Sequence, residues 1–365
     1  MLTFLHSADF HLDSPFGALP SQQAKARRQE LRELVFRMAD YVNQEKIPLV
    51  LLAGDLFDSA AAYLETCEQL SQALGRMEHA RIFIAPGNHD WYAPNTLWTQ
   101  TEWPENVYIF QTPQMESVEL PEWNAVIHGA AFQSSEQTRS LLADFSAPED
   151  GKIHIGLLHG EVDPPEERYN PIRHEEIAAS NLHYLALGHI HRRGAPHTYG
   201  RTVCAWPGCP EGRGFDELGE KGFYRGVIDN GQVDLTFVPF ARRRYQILEV
   251  DVTGRTPREA VESALPEDTE SDFYRILLTG ESGAGGAGAS QLEAALADRF
   301  CALEIRDQTR LAEDIWARSG EDSLRGLFLR EMKTQWSAAE TPEERDTITL
   351  AVRFGLAALD HRELG

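Results

Sequence analysis

Short, nearly unbroken apolar runs recur through the first two-thirds of the chain: LTFLH (2–6), PLVLLA (48–53), RIFIA (81–85), IHIGLL (153–158) and HYLAL (183–187). Runs of this length without polar alternation predict strands covered on both faces, as in parallel sheets. Between the first two, Leu31, Leu34, Val35, Met38 and Val42 repeat at helical spacing, and Leu64, Cys67, Leu70, Leu74 and Met77 form a second such stripe. Strand alternating with helix predicts an α/β domain over residues 1–243. At its end, GFYRGVID and QVDLTFVPF read as a hairpin turned at Asn230-Gly231, a dipeptide suited to tight turns.

The rhythm changes after Arg242-Arg243-Arg244. YQILEVDV, FYRILLTG and CALEIRD read as three strands. Thr256-Pro257-Arg258-Glu259 and Ser290-Gln291-Leu292-Glu293 read as capping boxes opening two intervening helices. Residues 244–308 are thereby expected to form a small β-α-β-α-β domain. The glycine-rich run GESGAGGAG lacks a following G-K-[ST] and reads as a connector rather than a phosphate loop. From 309 to 365 the chain is expected to be wholly helical, with Leu324, Leu327, Phe328, Met332 and Trp336 on one face. Thr341-Pro342-Glu343-Glu344 caps a last helix bearing Ile348, Val352, Leu356 and Leu359.

The chain has 365 residues, room for two domains, and only four cysteines with no C-x-x-C pair. Neither a disulfide framework nor a thiolate zinc site is expected. The N-terminus lacks a basic segment leading into an apolar one, and no run approaches eighteen apolar residues, so a cytoplasmic protein away from the membrane is expected. The formal net charge is −23. Such a surface repels nucleic acid at long range, so a polyanion must be met by a local basic patch, by metal ions or by a partner.

Chemistry concentrates where the apolar runs end. They lead in turn into Asp9-Phe10-His11, Gly54-Asp55-Leu56-Phe57-Asp58, Gly87-Asn88-His89-Asp90, His159-Gly160 and Gly188-His189-Ile190-His191. Parallel strands gather their carboxyl ends at one edge, where open α/β sheets place their sites. Seven oxygen or imidazole donors come together this way: Asp9, His11, Asp55, Asn88, His159, His189 and His191. Mixed O/N donors without thiolate suit Mn²⁺, Fe²⁺ or Zn²⁺. Seven are too many for one ion and suit two divalent ions sharing a carboxylate, an arrangement that clamps a phosphoryl group and generates hydroxide for in-line attack. Each motif alone is common as a plain turn; the ordered set of five, each after an apolar strand, is not.

D-x-H, G-D-x-x-D, G-N-H-D, H-G and G-H-x-H in this order resemble the calcineurin-like metallophosphoesterases. HSADFHLDSPF, LLAGDLFD, GNHD and YLALGHIH further resemble the SbcD-like DNA repair exonucleases, and WPGCPEGRGFDELGEKGF is similar to a loop of one bacterial branch of them. The resemblance implies a four-layer α/β/β/α sandwich, a small α+β capping domain and C-terminal helices. It implies that Asp9, His11 and His191 hold one ion, that Asn88, His159 and His189 hold the other, and that Asp55 bridges. His89 would assist the leaving group, with the Asp58 carboxylate orienting it. It also implies Mn²⁺, DNA as substrate and an SbcC-like SMC-type ATPase as partner. One departure is visible: many members carry Gly after D-x-H-L, where this chain has Asp13.

Arg192, Arg193 and Arg213 are candidates for neutralising flanking phosphates, or are ordinary surface arginines. Trp91, Tyr92, Trp98 and Trp103 could stack on bases or fill a homodimer contact, with loop packing the expectation favoured. His6, His128, His154 and His183, in or beside strands, are expected to serve packing. The C-terminal helices could dock on a partner ATPase or pack on the cap. Two rivals to a DNA nuclease remain open: a phosphodiesterase or phosphatase for a small molecule or protein, and a non-catalytic scaffold.

Overall fold

Phe4 and Leu5 are neighbours in the first strand, β1 (Leu2–Ser7), yet they enter different hydrophobic cores. This period-two division recurs in every central strand and is why the apolar runs show no alternation. The computed structural model describes all residues except 60–61, 167, 283–287, 312 and 360–365. Backbone contacts divide it into two units, Met1–Arg242 and Arg243–Gly365.

In the first unit the elements after β1 are α1 (Ser21–Gln44), β2 (Leu49–Leu52), α2 (Leu64–Gly75), β3 (Arg81–Ile84), α3 (Leu97–Gln100), β4 (Val107–Ile109), β5 (Glu116–Leu120), β6 (Ala125–Gly129), β7 (Ile153–His159), β8 (Glu161–Val162), β9 (Pro171–Ile172), α4 (His174–Ala179), β10 (Tyr184–Gly188), β11 (His197–Tyr199), β12 (Thr202–Ala205), β13 (Gly222–Asp229) and β14 (Gln232–Pro239). One six-stranded sheet has the order β14-β13-β1-β2-β3-β4, the other β11-β12-β10-β7-β6-β5. β1, β2, β3 and β4 run parallel, as do β6, β7, β10 and β12.

The two sheets share a core. Leu2, Phe4, Leu49, Leu51 and Phe83 from one meet Ile127, Ile155, Leu157, Tyr184 and Ala186 from the other. On the outer face of the first sheet, Leu5, Val50, Leu52, Ile82 and Ile84 pack against the Leu31–Val42 stripe of α1 and the Cys67–Leu74 stripe of α2. On the outer face of the second, Leu158, Leu185, Leu187 and Cys204 pack against Ile177 of α4 and the Leu141–Leu142 segment. The result is a layered α/β fold in which sheets are flanked by helices. The hairpin closes at Asn230-Gly231, both at positive φ, and joins β1 antiparallel.

Asp13 has φ 69, a left-handed conformation that normally favours glycine. Its carboxylate accepts from Arg32 (2.9 Å), the Tyr63 N–H (3.0 Å) and the Thr66 hydroxyl (2.8 Å). The non-glycine residue is therefore held by bonds that tie the first loop to α1 and α2.

In the second unit, β15 (Tyr245–Asp251), β16 (Phe273–Thr279) and β18 (Ala302–Asp307) form a parallel sheet in that order, and β17 (Glu281–Ser282) pairs with β19 (Arg310–Leu311). Helix α5 (Pro257–Ala264) opens with the Thr256–Glu259 capping box. The second box does not form. Helix α6 (Ala289–Leu296) starts at a left-handed Gly288, placing Ser290 inside it, and Glu293 instead accepts the N–H of Ile305 at 2.9 Å. The glycine-rich connector falls largely on 283–287, outside the described residues. Nor is the chain wholly helical from 309, because β19 intervenes before a 3₁₀ segment, α7 (Leu324–Ala338) and α8 (Pro342–Leu359). Leu329, Val352 and Leu356 make the helical core with Phe328, Met332, Trp336 and Ile348, while Leu324 and Leu327, expected on that face, are exposed.

Candidate metal centre

Five strand ends build one site. Loops after β1 and β2 zip together, with Ala53 N–H donating to Ser7 O, Asp9 N–H to Gly54 O, His11 N–H to Asp55 O and Leu12 N–H to Leu56 O, all between 2.8 and 3.0 Å. From the second sheet, the His189 N–H donates to Asp9 Oδ1 at 2.9 Å. Asp9, His11, Asp55 and His189 all have positive φ, at 56, 46, 50 and 93°. Such backbones cost on the order of 1–3 kcal/mol each in non-glycine residues and persist only where surrounding bonds enforce them. Gly87 and Gly188 permit the close approach: a Cβ on the first would collide with the Asp55 carboxylate, on the second with Ala53 O.

The site histidines share one design. His11 Nδ1 meets Asp58 Oδ1 at 3.1 Å, and His191 Nδ1 meets Glu217 Oε1 at 2.8 Å. His159 Nδ1 meets Ala53 O at 2.8 Å, and His189 Nε2 meets Glu161 Oε1 at 2.8 Å. Each outer nitrogen thus faces an oxygen acceptor, which for His11, His159 and His189 places its proton there and leaves the inner nitrogen for a Lewis acid, while His191 Nδ1 also meets Arg213 Nη2 at 2.9 Å. Those inner nitrogens converge. His11 Nε2 and His191 Nε2 lie 3.0 Å apart, and Asn88 Oδ1 is 2.9 Å from His159 Nε2 and 3.0 Å from His189 Nδ1. Asp55 Oδ2 lies 3.2 Å from His159 Nε2 and 3.9 Å from His11 Nε2, between the two groups.

These residues fit a pair of divalent ions. Asp9 Oδ2 is buried without a hydrogen-bond partner among the described residues, and the Nε2 atoms of His11 and His191 face one another at 3.0 Å, an arrangement that a cation between these groups would satisfy. Donor atoms of Asp9, His11 and His191 lie within 4.8 Å of one another, as do those of Asp55, His159 and His189. Electrostatics agree. Burial raises the Asp9 carboxyl to about 6 and lowers His11 to about 4 and His189 to about 3. Burial also opposes charge on His159, but the adjacent Asp55 carboxylate overrides it and holds the imidazole at about 9. In the metal-free protein a proton on His159 stands where positive charge is wanted.

Asp58 and Arg213 differ from expectation. His89, exposed at the rim with its ring 4.8 Å from that of His11, donates from Nδ1 to the backbone oxygen of Asp58 at 2.9 Å. The Asp58 carboxylate turns to His11 and Arg213 instead, because those two donors compete for it. Arg213 is mostly buried and paired with Asp58 (3.2 Å) and Glu217 (2.6 Å), so its charge is already neutralised by protein. Arg192 and Arg193 are exposed, the latter stacked 4.0 Å over Phe237. Trp98 is buried, donates to Asp90 O and packs 5.3 Å from Trp103, so that pair fills the loop. His6 is buried against the Tyr184 hydroxyl at 2.7 Å; His128, His154 and Asp150 form a separate hydrogen-bonded chain.

Sequence reasoning assigned no role to Glu217, Glu161 or Asp90. The last sits in the G-N-H-D motif itself, and Glu161 follows His159 by two residues. Glu217 is one of several acids flanking Arg213.

Among the described residues, no helix is long and apolar enough to cross a membrane. The family model for calcineurin-like phosphoesterases matches residues 2–193. The chain is 33% identical over 287 residues to the uncharacterized metallophosphoesterase YhaO of Bacillus subtilis, covering 75% of this chain and 69% of that one. It is 20% identical to the D component of the SbcCD nuclease of Staphylococcus epidermidis, covering 77% and 80% of the two chains. It is 22% identical to the DNA double-strand break repair protein Mre11 of Methanopyrus kandleri, covering 92% and 77%. A dinuclear metal centre is the family's working part, and the aspartates and imidazoles gathered at these strand ends are candidate ligands for it. By its sequence, this chain belongs to the calcineurin-like phosphoesterases and is a metal-dependent phosphoester hydrolase.

Proposed function

We propose that the protein is a two-metal phosphodiesterase acting on DNA, an SbcD-like nuclease of DNA repair. The observation that carries this reading is the convergence of four imidazole nitrogens, Asn88 Oδ1 and two buried carboxylates on one edge, with every imidazole fixed from behind. Asp9, His11 and His191 would hold one ion, Asn88, His159 and His189 the other, with Asp55 between them. Mn²⁺ suits this donor set, as do Fe²⁺ and Zn²⁺. A bound pair supplies neutralisation of phosphoryl oxygens and a nucleophile at neutral pH.

The chain's own residues do the rest. Asp55 orders the rim by accepting the His89 N–H at 2.8 Å on the same carboxylate that reaches the centre. His89 Nδ1 donates to Asp58 O, so it is the doubly protonated ring that would carry a second proton on Nε2 and hand it to the departing oxygen, returning to the neutral imidazole. DNA is favoured over a small substrate by the two nuclease and repair relatives, and the local charges available to flanking phosphates are Arg192 and Arg193. A net charge of −23 makes a partner necessary for tight DNA binding. An SbcC-like SMC-type ATPase is the partner this reading implies. Residues 244–308 serve as the cap in this reading, and the exposed Leu324, Leu327, Leu350 and Phe354 of the C-terminal helices serve as the docking face. A cytoplasmic location follows from the same role.

The test compares Mn²⁺-loaded protein on linear duplex DNA, cyclic nucleotides and phosphopeptides, with metal content measured by elemental analysis. Cleavage of DNA above the other two supports the reading. Preference for a cyclic nucleotide or phosphopeptide replaces it with a small-molecule or protein phosphoesterase, and protein that takes up no metal points to a scaffold.

A further inference from the structure

The planar group of Arg213 lies behind the centre rather than in it. Its Nη1 donates to Asp58 Oδ1 at 3.2 Å and its Nη2 to Glu217 Oε1 at 2.6 Å, while Nη2 also lies 2.9 Å from His191 Nδ1. Those same two oxygens face the outer nitrogens of His11 and His191 at 3.1 and 2.8 Å. One guanidinium therefore links the carboxylates behind two imidazoles 180 residues apart in sequence. The backbone closes the arrangement, with the Arg213 N–H donating to Glu217 Oε2 at 2.8 Å. The loop itself is anchored by the buried Arg27, which donates to Glu211 Oε1 at 2.9 Å and to Gly212 O at 2.8 Å. The histidines of the other group, His159 and His189, rest on Ala53 O and Glu161 and have no such link among the described residues.

We propose that Arg213 is the positioning residue of the Asp9–His11–His191 ion, holding His11 in register through Asp58 and His191 through Glu217 and its own contact with Nδ1. This rests on the two-metal reading above. Two carboxylates this close repel, and a planar fork with fixed donor directions is what lets them sit side by side with their ring partners aligned. A carboxylate behind each imidazole also raises its basicity towards a metal, and such outer partners typically govern about 10–100-fold in metal affinity. Arg213 is thus withdrawn from phosphate binding, and its removal should be felt by one ion and not the other.

The experiment titrates Mn²⁺ by calorimetry into the metal-free full chain, for wild type, Arg213→Gln, Arg213→Lys and Asp9→Asn, after thermal melting in chelator has confirmed folding. The expected result is two ions in wild type and loss of one in Asp9→Asn. That same ion should weaken about 10–100-fold in Arg213→Gln, with the second within about twofold. Arg213→Lys keeps the charge without the fork, and should restore folding while leaving the same ion weakened; it decides the matter if the Gln variant does not fold. Equal weakening of both ions assigns Arg213 a general structural role and overturns the proposal. Unchanged affinities with a raised KM for a phosphodiester assign it to substrate and overturn it too. Fewer than two ions in wild type overturns the two-metal reading itself, and the proposal with it.

Discussion

The buried Asp90 carboxylate accepts the backbone N–H of Asp55 at 3.2 Å, so one acid of the β3 loop sets where the central acid of the β2 loop stands. The same carboxylate accepts from Gly87 and Leu56 at 2.7 Å and from Phe57 at 3.3 Å. Burial and the neighbouring Asp55 push its pKa up while these N–H donors pull it down. Asp90→Ala strands four backbone donors and frees the Asp55 loop. Chemical denaturation in chelator should show a loss on the order of 4 kcal/mol, with Mn²⁺ affinity falling as well. A loss of about 0.5 kcal/mol, as for an ordinary surface change, would show that the Asp55 loop is held by something else.

Asp9 sets function against stability. Its carboxyl is raised by burial from 3.8 to about 6, so the folded metal-free protein binds an extra proton between these values. Folded-state proton uptake means that stability falls as pH rises through this window and stays low above it. The penalty is on the order of 3 kcal/mol, about two pKa units' worth. Asp9→Asn removes the charge while keeping an acceptor for the His189 N–H. In chelator at pH 8 the variant should melt above wild type, the gap should close at low pH, and Mn²⁺ should raise its melting temperature less than it does that of wild type. A variant melting below wild type at pH 8 would show that the charge is not penalised.

The thiols bear on handling the protein under oxidising conditions. None of the four cysteines is in a disulfide, and Cys67, Cys204 and Cys209 are buried. Burial pushes Cys67 and Cys204 up to about 12 and Cys209 upward too. At pH 8 a thiol of pKa near 12 is about one part in 10⁴ thiolate. Native protein should therefore be slow to label with a thiol reagent at Cys67, Cys204 and Cys209, and should label at all three in denaturant. Rapid labelling of Cys67 in the native state would place it nearer solvent than the packing allows.

What the sequence disclosed was local. Asp9 and His11, or His189 and His191, stand together behind an apolar run, and parallel strands bring such ends to one edge, so both the fold class and the gathering of these side chains were readable. The outer partners were not, because they answer to distance in space. Glu217 reaches His191 from 26 residues away in an irregular loop, and nothing in that acid-rich stretch distinguishes it from Asp216 or Glu220. Arg213 looked like a phosphate ligand because charge is visible in sequence and its neutralisation is not. The Ser290–Glu293 box failed for a related reason: a left-handed Gly288 starts the helix two residues early, and the Ile305 N–H takes up Glu293. The positive φ of Asp13 was likewise hidden, since its support comes from α1 and α2.

The most direct test is Mn²⁺-dependent cleavage of linear duplex DNA by wild type and His89→Ala. His89 stands on the rim and its outer neighbour is a backbone carbonyl, so the variant should bind both ions as wild type does. Wild type should cleave the duplex, and the variant should be slower by about 10²–10⁴-fold, the usual reach of a general acid. Cleavage by the variant at the wild-type rate, or a wild type that hydrolyses an activated phosphodiester yet spares DNA with its ATPase partner present, would contradict the assignment.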